Sequence, residues 1–171
     1  FPYTTLFRSL RPVGLKTRIH GDYHLGQVLI VQQDVAIVDF EGEPSRSFEE
    51  RRAKDLPLRD VAGMLRSFDY AAETAARDVA ARQVGEDGRV RSAAQAWRDA
   101  AVDIFLASYD RAVAGSPVEI ADPSLRAPLL EMYMAQKAIY EIFYEAAHRP
   151  GWIGIPVGGL MSIIERKGEA G

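Results

Sequence analysis

An aspartate, an amide and a second aspartate recur within residues 20–40. His20-Gly21-Asp22-Tyr23-His24-Leu25-Gly26-Gln27 carries Asp22 and Gln27, and a hydrophobic run then ends at Asp39-Phe40. Phosphoryl transfer needs such a set. One carboxylate orients or deprotonates the acceptor hydroxyl, while an amide oxygen and another carboxylate hold magnesium against the nucleotide phosphates. Magnesium takes oxygen ligands and keeps water and phosphate oxygens in its shell, so two protein ligands are enough.

Two strands must position these groups. Gln27 to Val31 and Val35 to Phe40 are rich in β-branched and aliphatic residues, and Gln32-Gln33-Asp34 between them suits a short hairpin turn. Pairing would set Gln27 near Asp39, with the Asp22 loop just before. Glu41 to Leu56 reads as an irregular segment. From Pro57, Val61, Leu65, Phe68 and Ala72 recur at helical spacing and predict a helix towards Ala81, broken at Gly85-Glu86-Asp87-Gly88. A second long helix is predicted from Ser92, with Gln95 completing a capping box and Trp97, Ala101, Ile104, Phe105 and Tyr109 as its apolar face. Asp122-Pro123 starts a third, running to about Ala147, in which Met132, Met134, Ile139, Ile142 and Phe143 read as core. A short helix from about Pro156 to Glu165 follows. The fold class is mainly α with a small β-hairpin.

Composition narrows the function classes. With 171 residues, 47% of them hydrophobic, the chain can bury one core. Its net charge of -3 argues against a nucleic-acid surface. The chain has no cysteine, which excludes disulfides and thiolate metal sites and fits a cytoplasmic protein. No apolar run is long enough to span a bilayer, and no signal-peptide pattern opens the sequence. Residues 1–9 lack an initiator Met and any periodicity. They look like translated adapter DNA, an ordinary loop or expression scar being the alternative. The natural chain is expected to begin near Leu10, with upstream sequence lost.

The motifs resemble the aminoglycoside-phosphotransferase-like, or protein-kinase-like, superfamily. Longer stretches resemble the bacterial maltokinases: residues 20–27, Val-Asp-Phe-Glu-Gly-Glu-Pro at 38–44, residues 57–72, and Lys137-Ala138-Ile139-Tyr140-Glu141 through Arg149-Pro150. The resemblance implies the C-terminal lobe of a kinase-like α+β fold over residues 10–171, with the N-terminal lobe missing. It implies ATP-dependent phosphorylation of maltose to maltose 1-phosphate for α-glucan (glycogen) synthesis, in some members behind a fused trehalose synthase domain. Carried over by position, Asp22 is the catalytic base, and Gln27 and Asp39 hold Mg2+ and through it ATP. The Gly-rich strands, phosphate-anchoring lysine and adenine hinge are expected upstream, so the fragment alone should be inactive. A kinase for another sugar such as glucosamine is the alternative, as is a non-catalytic pseudokinase or binding domain.

Several residues admit two readings. His20 reads as holding the catalytic loop, and His24 as facing either sugar or solvent. Asp60 either braces the catalytic loop or is a favourable charge at a helix N-terminus. Glu41 and Glu43 read as partners of Arg46, Arg51 or Arg52 rather than as charge near the metal. Lys137, Tyr140, Glu141, Tyr144 and Glu145 share one side of the third helix. They offer aromatic and charged contacts for a sugar; a solvated face with a Lys137–Glu141 pair is the alternative.

Overall fold

β-branched residues form the hairpin where the sequence predicts it. In a computed structural model describing residues 14–82 and 87–169, β1 (Val28–Val31) pairs antiparallel with β2 (Asp34–Ile37), Val28 facing Ile37. The turn is only Gln32-Gln33, with Gln32 at φ 56. Asp34 therefore belongs to the strand. A single 3₁₀ turn, Leu25–Gln27, leads into β1. The expected leader at residues 1–9 lies outside the described residues.

Everything after the hairpin is helical or loop among the described residues. α1 (Phe48–Arg52) occupies a stretch expected to be irregular. Its signal is the pair Ser47 and Glu50: the Ser47 hydroxyl accepts from Glu50 N, and the Glu50 carboxylate accepts from Ser47 N. α2 (Leu58–Ala80) is the central helix, and α3 (Asp87–Val113), α4 (Pro123–His148) and α5 (Gly154–Glu169) pack around it. Asp122 caps α4 by accepting from Ser124 N. α3 begins upstream of Ser92, so the expected capping box at Ser92–Gln95 does not start it. The expected break there fails in part, because Asp87 and Gly88 are already helical; the other two of its residues lie outside the described segments. No helix among the described residues is long and apolar enough to cross a membrane.

Val61, Leu65, Phe68 and Ala72 of α2 are all buried, and Ala101, Phe105 and Tyr109 of α3 pack against them. A fully buried Leu such as Leu58 contributes about 2 kcal/mol by leaving water. Ile104 instead points to solvent. The same inversion marks α4, where Met132, Ile139 and Phe143 are exposed and Glu141 and Glu145 are buried. Met134 packs at the edge of the core. The reason is a polar seam against α2. Arg66, only 1% exposed, donates from Nε and Nη2 to Glu141 Oε2 at 2.9 and 2.7 Å. Tyr70 donates to Glu145 at 3.1 Å, and Arg149 donates to both Glu145 oxygens. A buried carboxylate is tolerated only with such partners, so the carboxylates dictate which side of α4 faces in.

Removing one partner of a buried ion pair strands the other. Arg66→Met is expected to lower unfolding free energy by about 3 kcal/mol. Adding Glu141→Leu should restore most of that. Urea denaturation of the full-length protein would check both; a double variant no more stable than the single would refute the pairing argument.

Candidate active site

The loop carrying Asp22 is fixed at three points. Asp60, in the first turn of α2, accepts from His20 N at 2.7 Å and from Gly21 N at 2.9 Å. Burial pushes the Asp60 carboxyl above its ordinary value, against the hydrogen bonds from Gly21 and His20 that pull it down. The buried His20 ring donates from Nε2 to Val38 O at 2.7 Å, and its Nδ1 accepts from Asp22 N at 3.4 Å. This single imidazole ties the Asp22 backbone to the end of the hairpin. The third point is a close approach. A Cβ on Gly63 would lie 2.6 Å from Tyr23 O, so only glycine lets α2 come this near the loop. Upstream, Thr17 and Asp55 exchange backbone hydrogen bonds of 3.0 Å, anchoring the approach to the loop beside the start of α2.

Gln27 and Asp39 meet at the open end of the hairpin. Gln27 Nε2 donates to Asp39 Oδ2 at 2.9 Å. Asp39 takes φ 63, a left-handed conformation that costs a non-glycine residue free energy of about 1 kcal/mol and that clusters at functional positions. The donor chemistry here, one amide oxygen and one carboxylate, fits a magnesium ion bound mainly through phosphates and water.

Asp22 has a cationic neighbour from α4. Lys137 Nζ donates to Asp22 Oδ1 at 3.0 Å and to Glu43 Oε1 at 2.8 Å. Burial acts to lower the Lys137 pKa, but the Asp22 and Glu43 carboxylates outweigh it and hold the ammonium above the ordinary lysine value. Glu43, 3% exposed, also accepts from Arg46 Nε at 2.8 Å. Glu43 is the site residue that the sequence did not reveal as one. Its arginine partner is three positions away and readable, whereas Lys137 lies 94 positions further on and only the fold brings it there.

The other predicted residues divide. His24 stands with Nε2 4.0 Å from Asp22 Oδ2, while its Nδ1 accepts from Gly26 N. Tyr140 shares the crevice with Asp22 and Lys137: its hydroxyl accepts from Ser45 Oγ at 3.2 Å, and its ring lies 5.0 Å from Lys137 Nζ. Glu141 and Glu145 turn the other way, into the seam with α2, so the five-residue stripe does not gather into one pocket. Tyr144 stacks on His148 with centroids 4.5 Å apart. The alternative Lys137–Glu141 pairing gives way to Lys137–Asp22 and Arg66–Glu141.

No protein-family model matches the chain. It is 31% identical over 150 residues to the glucosamine kinase of Streptacidiphilus jiangxiensis, covering 87% of this chain and 32% of that protein. It is likewise 31% identical over 150 residues to the glucosamine kinase of Mycolicibacterium smegmatis, covering 85% and 34%. Among solved structures, a glucosamine kinase in complex with glucosamine, ADP and inorganic phosphate matches with TM-score 0.68 at 27% identity, over 88% of this chain and 36% of that one. The chain thus spans about a third of the length of the curated relatives it matches. These relatives and neighbours support a kinase-like sugar kinase, and the mainly helical fold with its small sheet is consistent with a fragment of one. They overturn the expected phosphorylation of maltose, since the matched proteins are glucosamine kinases. The glycogen and trehalose synthase associations rested on the maltokinase resemblance, and these relatives lend them no support. Physically, that pocket needed Glu141 and Glu145 facing a sugar, and both are instead held by arginines.

If Asp60 holds the loop, its removal should free two amides. Asp60→Ala is expected to speed hydrogen exchange at His20 and Gly21 by at least about tenfold while leaving α3 unchanged. Unchanged exchange at both amides would mean that the loop does not depend on Asp60.

Proposed function

We propose that this chain is the C-terminal, catalytic lobe of a kinase that transfers the γ-phosphoryl group of ATP to glucosamine. One observation carries the reading. The solved kinase bound to glucosamine, ADP and inorganic phosphate matches 88% of this chain, and the Asp22, Gln27 and Asp39 set supplies the groups such a transfer asks for. The greater length of the relatives supports a preceding lobe, outside these 171 residues, for the adenine and phosphate-anchoring contacts.

In this mechanism Asp22 accepts the proton of the acceptor hydroxyl, or orients it, as the acceptor oxygen attacks the γ-phosphorus in line. His20 and Asp60 hold the loop backbone in place, so that only the Asp22 side chain has to turn to the hydroxyl. Gln27 and Asp39 are the residues that would hold magnesium, which when bound neutralises charge on the nucleotide phosphates. His24, Lys137 and Tyr140 border the acceptor side of Asp22. Glu141, Glu145 and Tyr144 support α4 and are assigned no sugar contact. Asp22 and its partners argue against a pseudokinase, because each part that phosphoryl transfer asks of this lobe is present.

The test is steady-state turnover by the full-length protein with ATP, magnesium and a panel of glucosamine, glucose and maltose, the products separated by mass. Glucosamine phosphate should dominate. Asp22→Asn should lower kcat by at least about 10²-fold while glucosamine binding persists. A preference for another acceptor would refute the amino-sugar assignment, and full activity of Asp22→Asn would refute the role of Asp22.

A further inference from the structure

We propose that Lys137 is a catalytic residue whose ammonium contacts the equatorial oxygens of the phosphoryl group in transfer, and that Glu43 is the positioning residue that keeps it there. The inference rests on the kinase reading, with Asp22 as the group that receives the acceptor proton.

The resting geometry is otherwise hard to reconcile with a base. The ammonium 3.0 Å from Asp22 Oδ1 occupies a hydrogen-bonding position on the carboxylate that must receive the acceptor hydroxyl. A lysine used only to pair with Asp22 would oppose the chemistry. The arrangement makes sense if Lys137 exchanges partners. Glu43 supplies the means. It is buried, pinned from its other oxygen by Arg46 Nε at 2.8 Å, and bonded to Lys137 Nζ at 2.8 Å. Glu43 therefore keeps the ammonium in place when Asp22 turns to the acceptor hydroxyl. Asp22 and Glu43 take two of the three N–H groups of Lys137, which leaves a donor for a ligand.

Distances place that ligand. An acceptor oxygen bonded to Asp22 sits about 2.8 Å from the carboxylate. The phosphorus it attacks lies about 3–3.5 Å beyond. A cation 3.0 Å from the same carboxylate reaches the phosphoryl oxygens when it lies on the phosphate side of that carboxylate, and this is the placement the proposal assigns to Lys137. Charge in this transition state is spread over three equatorial oxygens, and a fixed cation in a site of low exposure stabilises it more than the ground state. The bond from acceptor oxygen to γ-phosphorus forms as the bond to the bridging oxygen breaks. The electron pair leaves with ADP, and the proton passes to Asp22.

The Lys137 stem is held by the fold as well. Glu141, one helical turn further along α4, is bound to Arg66 of α2, so the helix cannot rotate Lys137 away. The rival reading is that Lys137 binds a sugar hydroxyl. The two differ kinetically, since a phosphoryl contact acts only in the transition state and a sugar contact acts in both states.

The experiment uses the full-length protein with ATP, magnesium and glucosamine, and compares Lys137→Met, Lys137→Arg, Glu43→Gln and the Met–Gln double variant. Lys137→Met should lower kcat about 100-fold with the glucosamine KM within about threefold, the size seen for loss of one transition-state donor. Lys137→Arg should recover part of the loss. Glu43→Gln should lower kcat about tenfold, and should cost kcat nothing further in the Lys137→Met background, because its effect on turnover runs through Lys137. A raised KM with unchanged kcat, or additive losses in the double variant, overturns the proposal. Should Lys137→Met fail to fold, the Arg and Gln variants still decide it by the same split. A wild type that turns over no sugar overturns the kinase reading and this inference together. A wild type that turns over glucosamine beside an unaffected Lys137→Met overturns this inference alone.

Discussion

The ion pair between Arg66 and Glu141 sets how α4 packs against α2. Arg66 is almost wholly buried and meets Glu141 through two nitrogens. A planar guanidinium fixes both distance and direction, which an apolar contact does not. Rotating α4 by one residue would strand two charges at once. With the pair in place, the side of α4 that faces α2 is decided, and Lys137 one turn earlier must emerge beside the Asp22 loop. Gly159 of α5 closes over the same guanidinium, leaving no room for a side chain. Three helices are therefore keyed to one arginine.

The Asp22 loop depends on the seam only indirectly, through α2. The helix presents three devices to the loop in order along its length: the Asp60 carboxylate for two amides, the missing side chain of Gly63, and the Ser67 hydroxyl that accepts from Leu25 N. They lie at three- and four-residue steps, one face of one helix. The loop has little regular structure and still has one position, since its backbone donors are satisfied by a rigid element. His20 carries the same order across to the hairpin, where Gln27 and Asp39 stand.

How much of this could be read from residues follows the physics of each signal. The Asp22, Gln27 and Asp39 set and the hairpin between them are local, and β-branched runs around a polar turn suffice to see them. The apolar period of α2 is also local and strong, with Val61, Leu65, Phe68 and Ala72 all inside. α1 was signalled by Ser47 and Glu50, a pattern easily passed over among charged neighbours. The orientation of α4 was not legible. Apolar residues normally turn inward, and Ile139 and Phe143 turn outward because two glutamates have partners on α2, Arg66 for Glu141 and Tyr70 for Glu145. Such pairing is a long-range property, as is the approach of Lys137 to Glu43. The five-residue stripe on α4 was misjudged for the same reason: a row of tyrosines and glutamates describes a helix face, not what that face meets.

Gly63 has a bearing on any attempt to engineer this protein. It sits inside a 23-residue helix, where tables of intrinsic propensity rank alanine above glycine by about 1 kcal/mol. A stabilisation campaign guided by propensity would choose this position early, in the middle of its best helix. The Tyr23 carbonyl occupies the space the new methyl group would need. The substitution that improves the isolated helix is the one that drives it off the loop, so a design scheme that scores elements separately would trade the placement of Asp22 for helix propensity.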